Sequence, residues 1–212
     1  AKTFSFASLF LGRKRTHEAA RLYRFCRTID DIADHSDDKK MAREKLETIK
    51  ADLQKRDSND PMVCDFIDLC QTRSLDFNAA LDLVDGIISD LEPVRIQNQE
   101  ELDMYCYKVA GTVGILMCPI LGTTDHNAKK FGRDLGKAMQ LTNICRDIRE
   151  DAENNRIYIP QDLISSDLTT SPSTPDEQAR KACKTLLEKA DQLYEHAEYG
   201  IAYLPLGSKL CI

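Results

Sequence analysis

Along most of this chain apolar residues recur at spacings of three and four, the period of an amphipathic α-helix, and no stretch of convincing length alternates with period two. From Thr16 to Asp34 the stripe is Ala19, Ala20, Leu22, Tyr23, Cys26, Ile29 and Ala33, with Thr16 placed as a cap. Met41 to Gln54 sets Leu46, Ile49 and Leu53 among Glu44, Lys45 and Glu47, as a solvated outer helix does. Asp60-Pro61 supplies an N-cap followed by Pro at the first helical position and opens a helix from Met62 to Thr72. Another runs from Asp76 to Leu91 and is ended by Pro93. Gln99 to Leu121 reads as one long central helix in which Gly111 and Gly114 admit a second helix or a ligand. Asp125 to Glu153 follows, with Phe131, Leu135, Ala138, Leu141, Ile144 and Ile148 facing inward. Asn154 to Pro175, rich in Ser, Thr and Pro, is a loop, and Asp176 to Leu204 is a last helix. The expectation is an all-α helical bundle forming a single domain over residues 1–212.

Composition narrows what such a bundle does. With 9 Gly, 7 Pro and 42% hydrophobic residues in 212, neither a disordered nor a collagen-like chain is tenable. The 29 Lys and Arg against 35 Asp and Glu give a net charge of −6, which argues against a nucleic-acid partner held through phosphates. The longest apolar stretch, Val109 to Gly122, is interrupted by Gly, Thr and Pro and is shorter than the roughly 20 residues that span a bilayer. The 8 Cys contain no C-x-x-C pair and sit among apolar neighbours, so they read as reduced core thiols in a reducing compartment, the cytoplasm. The chain begins at Ala1 rather than Met, so an organelle-targeting segment removed upstream would leave no trace. His17, His35, His126 and His196 fall in no metal-ligand spacing.

The chemistry is carried by acids in the middle of helices. Asp30, Asp31 and Asp34 form D-D-x-x-D far from the helix N-terminus where the dipole favours carboxylates, and Asp30 and Asp34 lie one turn apart on one face. Asn143, Asp147 and Asp151 repeat the four-residue step, with Gln140 three residues earlier. A lone acidic stripe is usually a solvated face, but these two are embedded in apolar helices, and buried carboxylates need a cation. Mg²⁺ suits them because it takes oxygen ligands, keeps several waters and bridges to substrate phosphates. Arg27, one turn before Asp30, and Arg146, directly before Asp147, are nearby cations.

The segment from Tyr23 through Arg27 to Asp30-Asp31-Ile32-Ala33-Asp34 resembles the first aspartate motif of the squalene/phytoene synthase family. Ala138 to Asp151, followed by Asn155-Arg156-Ile157-Tyr158-Ile159-Pro160, resembles the second. Tyr105-Cys106-Tyr107-Lys108-Val109-Ala110-Gly111-Thr112-Val113-Gly114 is similar to the family's central helix, and Lys2-Thr3-Phe4-Ser5-Phe6 to its lead-in. The likeness runs from Lys2 to Pro205; D-D-x-x-D alone is shared with other prenyl-diphosphate enzymes, whereas the three motifs in order are specific.

The resemblance implies an isoprenoid-synthase bundle with a central active-site cavity, lacking C-terminal helices that relatives carry. It implies head-to-head (1′–1) condensation of two prenyl diphosphates through a cyclopropylcarbinyl diphosphate. The products are phytoene from geranylgeranyl diphosphate, or presqualene diphosphate, squalene or dehydrosqualene from farnesyl diphosphate. Asp30, Asp34, Asn143, Asp147 and Asp151 would hold Mg²⁺, with Gln140 alongside and Arg27 and Arg146 offsetting phosphate charge. Tyr23 and Tyr105 would lie near the reacting diphosphates, and Phe4, Val109, Val113, Gly114 and Leu141 are candidates for the prenyl channel, although Val109, Val113 and Leu141 suit a plain core equally well. NADPH is implied only if the product is squalene. Peripheral membrane contact is expected for release of an apolar product, although no strongly amphipathic basic helix stands out to carry it. The alternatives are a head-to-tail prenyltransferase or terpene cyclase, and a non-enzymatic relative acting as an assembly or lipid-binding factor. Nothing in the residues selects between C30 and C40 products or fixes an oligomeric state.

Overall fold

The computed structural model describes residues 2–34, 36, 38–164 and 177–209, with side chains from residue 11 onward. Helix α1 (Lys2–Asp34) is interrupted at Gly12, whose φ of 76° is a conformation that only glycine adopts without strain. It therefore does not begin at Thr16, whose hydroxyl instead donates 3.1 Å back to the Gly12 carbonyl. Helix α2 (Lys39–Lys55) is capped by Asp38, α3 (Pro61–Arg73) by Asp60 with Pro61 following, and α4 (Phe77–Ser89) by Asp76. In each case a carboxylate accepts from backbone N–H groups that the first turn leaves unpaired. Leu22, Phe25 and Ile29 of α1 pack with Leu46, Leu53, Phe66, Leu69 and Leu83 in a first buried cluster. Phe25 and Phe66 stack at its centre, with ring centroids 3.7 Å apart.

The predicted central helix is divided. It runs as α5 (Gln99–Cys106), loosens into one π-helical turn (Tyr107–Gly111), and resumes as α6 (Thr112–Leu121). Gln99–Leu121 is long and apolar enough to cross a membrane by composition, more so than its apolar core alone suggests. In this fold α5 and α6 contribute to two separate buried clusters. The last predicted central helix is divided too: α7 (His126–Arg146) stops where Asp147 leaves helical geometry at φ −102°, ψ 13°, and α8 (Ile148–Glu153) continues beyond it. Gly114 and Gly132 bring α6 and α7 into backbone contact. A Cβ on Gly114 would sit 1.9 Å from the Gly132 carbonyl oxygen, and one on Gly136 2.2 Å from that of Ala110.

A short parallel pairing joins β1 (Val94–Arg95) to β2 (Arg156–Ile157), two elements too brief to leave a period in the sequence. Arg95 fastens this clip by donating to the carbonyl and side-chain oxygens of Asn155. Residues 165–176 of the predicted loop lie outside the described residues. Helix α9 (Glu177–Glu198) ends before the predicted Leu204 and gives way to a 3₁₀ turn (Tyr199–Tyr203), followed by α10 (Leu206–Lys209). Leu102, Cys106, Leu141, Ile144, Ile157, Ile159 and Leu186 form the second buried cluster. The polar residues considered next lie where the two clusters meet: Ile87 from the first and Tyr105 and Ile144 from the second share a cavity with them.

Candidate active site

Four of the sequence-predicted aspartates meet in one polar cavity of about 220 Å³. Asp30 and Asp34 enter from the C-terminal end of α1. Asp147 and Asp151 enter from the α7–α8 break, with Asn143 and Gln140 from the last turns of α7. The break matters because Asp147 leaves the helix while the Asp151 N–H still bonds the Asp147 carbonyl at 2.9 Å, so both carboxylates stay within one turn.

The electrostatics are those of a site short of cations. Burial, then the charge of Asp34, pushes Asp30 up to about 6; burial, then the charge of Asp147, does the same to Asp151. Asp147 is held low by the hydrogen bonds it accepts from Arg146, at 2.7 and 2.5 Å. Among the described residues Arg156 is the one cation lining the cavity, and it reaches Asp34 at 3.2 Å.

Three residues that the motif spacing does not single out complete the wall. Asp90, which ends α4, accepts hydrogen bonds from the hydroxyls of Tyr105 and Tyr158, each at 3.0 Å, and those two rings stack with centroids 4.6 Å apart. Burial raises Asp90 to about 6 against the lowering effect of both phenols. Arg156 and Tyr158 belong to the quoted second motif but carry no role there until the β1–β2 clip sets them in the cavity. Asp90 stands alone in sequence, and its only signal is an acid among apolar neighbours just before Pro93.

Other expectations change. Arg27 pairs with Asp31 at 2.9 Å and lines the outer polar mouth rather than the cavity holding Asp30. Arg146 is two-thirds exposed and committed to its neighbour Asp147. Tyr23 is on the same face two turns before Asp30 but is 62% exposed and lines neither cavity. Leu141 is buried core. Phe4 lies outside the residues whose side chains are described.

Besides the acidic basin and its mouth there is an apolar cavity of about 340 Å³. Val109, Val113 and Gly114 line it, together with Phe131, Leu135 and Met139 of α7, and Gly200, Ile201 and Leu204 form a further wall. Gln140 and Asn143 line both cavities, so the acidic basin and the apolar channel meet at two neutral amides. Measured along α7 at about 1.5 Å per residue, the channel reaches about 20 Å from Asn143 to Ala128.

The donor set is all oxygen: five carboxyls and two side-chain amides against one guanidinium. It fits a hard divalent cation that shares its coordination with waters and phosphates. Among the described residues no three acidic, His or Cys side chains converge into a preformed metal cage.

The squalene/phytoene synthase family model matches residues 1–212. A 15-cis-phytoene synthase of Enterobacter agglomerans is 31% identical over 229 residues, covering 100% of this chain and 77% of that protein. The chloroplastic phytoene synthase 1 of Arabidopsis thaliana is 31% identical, covering 99% of this chain, which spans only 53% of it. Among solved structures, a dehydrosqualene synthase in complex with a ligand superposes with a TM-score of 0.86 at 26% identity, over 98% of this chain and 75% of that one. A squalene synthase of Alicyclobacillus acidocaldarius superposes with a TM-score of 0.84 at 23% identity, over 99% and 82%, and supports the fold.

Proposed function

This chain belongs to the squalene/phytoene synthase family, and from that premise we propose that it joins two allylic prenyl diphosphates head to head (1′–1). The observation that carries the reading is the pair of amides common to both cavities. A molecule with its diphosphate in the acidic basin and its hydrocarbon in the channel crosses Gln140 and Asn143 at its reacting carbon.

Asp30, Asp34, Asn143, Asp147 and Asp151 would hold Mg²⁺, which when bound offsets the charge that develops on a departing diphosphate. Arg156 supplies a fixed positive charge on the same wall. Substrate oxygens that replace Asp34 as its partner exchange one carboxylate for another anion, at little electrostatic cost. Asp90 keeps the two phenols of Tyr105 and Tyr158 stacked at the edge of the basin, where their ring faces favour positive charge nearby. The apolar channel keeps water from the allylic cation while the second substrate's double bond attacks it, and loss of a proton from the resulting cation closes the ring of a cyclopropylcarbinyl diphosphate. A second ionisation in the same basin and rearrangement then lead to the linear product, the final cation losing a proton or, where the product is squalene, accepting hydride from NADPH.

The rim of the channel supports a peripheral lipid contact for product release. Ile201 lines the channel and is 36% exposed, beside Tyr199 at 68%, Tyr203 at 39% and Leu206 at 75%.

Incubation with geranylgeranyl or farnesyl diphosphate and Mg²⁺, followed by analysis of extracted hydrocarbons, tests the reaction. Mg²⁺-dependent pyrophosphate release with a 1′–1 product is expected, and Asp30→Ala or Asp147→Ala should abolish it. Release of pyrophosphate with only head-to-tail or cyclised products would overturn the head-to-head assignment.

A further inference from the structure

Cys145 lies in the last turn of α7 and Cys183 near the start of α9, and the Cys145 thiol donates across the helix pair to the Cys183 carbonyl oxygen at 3.7 Å. Both are half-buried and line an open surface groove of about 480 Å³ with Ile148, Arg180, Lys184 and Leu187, whereas Cys70, Cys106 and Cys118 are buried. A disulfide spans Cα atoms about 4.4–6.8 Å apart, a separation open to residues that face each other across helices packed about 8–10 Å axis to axis, and a sulfur 3.7 Å from its partner residue's carbonyl marks this pair as facing.

We propose that Cys145 and Cys183 form a reversible thiol–disulfide modification site that joins α7 to α9 covalently. The two thiols together lose two electrons and two protons as the S–S bond forms, and glutathione disulfide is reduced to two glutathione thiols through a mixed-disulfide step. The bond closes a ring between positions 183 and 145, 38 apart, and that ring contains Asp147, Asp151, Arg156 and Tyr158. Closing it removes chain entropy from the unfolded state on the side of the basin built from α8 and β2. The redox state of the pair thereby sets the stability against unfolding of the segment that carries half of the acidic site.

The test treats the full chain with glutathione disulfide, followed by trypsin digestion without reductant. The expected product is the peptide Ala138–Arg146 linked to Ala182–Lys184 at two hydrogens below the summed mass, absent in Cys145→Ser and Cys183→Ser and reversed by dithiothreitol. The linked protein should melt about 5–10 °C above the reduced one, with no such difference in either variant. Glutathione adducts on the two separate peptides, linkage to any other cysteine, or equal melting temperatures of the linked and reduced protein would each overturn the proposal. The peptide readout is independent of the catalytic reading.

Discussion

Asp30 sits where its charge opposes folding, so neutralising it should stabilise the protein while destroying its activity. Its carboxyl is moved from 3.8 to about 6 by burial and by Asp34. That displacement corresponds to about 3 kcal/mol at 1.36 kcal/mol per pH unit. Water reaching the open basin screens it to about 1–2 kcal/mol. Asp30→Asn keeps the shape and removes the charge, so at pH 7.5 and without divalent ions it should raise the melting temperature by about 2–8 °C for a chain of this size. The sign follows from linkage. The folded state holds its proton more tightly than the unfolded chain, so the penalty is full above pH 6, shrinks as the pH falls, and is gone near pH 4. The gain of Asp30→Asn should shrink across the same window. Calorimetry at pH 7.5, 5 and 4 reads this directly, and Mg²⁺ with pyrophosphate should stabilise the parent more than the variant. A variant that melts lower at pH 7.5, or a gain that does not change with pH, would refute the account of the basin as a site short of cations.

Asp90→Ala should cost about 2–4 kcal/mol in chemical denaturation, because it leaves the hydroxyls of Tyr105 and Tyr158 without the acceptor they share, and pyrophosphate release should fall with it. Gly114→Ala should destabilise by about 3 kcal/mol or prevent folding, since its methyl would meet the Gly132 carbonyl; a folded variant with an unchanged denaturation midpoint would contradict the backbone crossing. At subsaturating Mg²⁺, pyrophosphate release should rise between about pH 5 and 7, because the ion competes with the protons that the raised carboxyls of Asp30 and Asp151 hold in the free basin; an Mg²⁺ requirement equal at pH 5 and pH 7 would separate those acids from the ion.

The aspartates were legible because a helix turns a four-residue spacing into a shared face: Asp30 and Asp34, and Asp147 and Asp151, meet as that period requires. The cap Asp60 was legible for the same local reason, and Asp76 and Asp125, read only as the starts of helices, prove to be caps as well. Asp90 was not, because its role comes from Tyr158, 68 positions away, and nothing local announces that partner. Nor was the π-helical turn, since Tyr107 to Gly111 keeps an apolar pattern whether the hydrogen bonds run to the fourth or the fifth residue. Arg27 and Arg146 show what sequence proximity leaves out: their nearest partners are Asp31 and Asp147, and Arg27 faces the outer polar mouth with Asp34, Asp147, Asp151 and Arg156 rather than the inner basin.

The crossing of α6 and α7 divides the channel into two kinds of wall. Where Gly114 meets Gly132 and Ala110 meets Gly136, main chain lies on main chain, and no side chain stands there that substitution could enlarge. The other wall, Ala197, Gly200, Ile201 and Leu204, belongs to the end of α9 and a 3₁₀ turn. Gly200 is itself tight, since a Cβ on it would lie 2.6 Å from that of Phe131, whereas Ile201 and Leu204 carry side chains that can change size without parting α6 from α7. Variation in bore should therefore fall on the side chains that line the channel, Val109, Val113, Phe131, Leu135 and Met139 as well as Ile201 and Leu204, with the glycine crossing as the fixed ruler against which a hydrocarbon is measured.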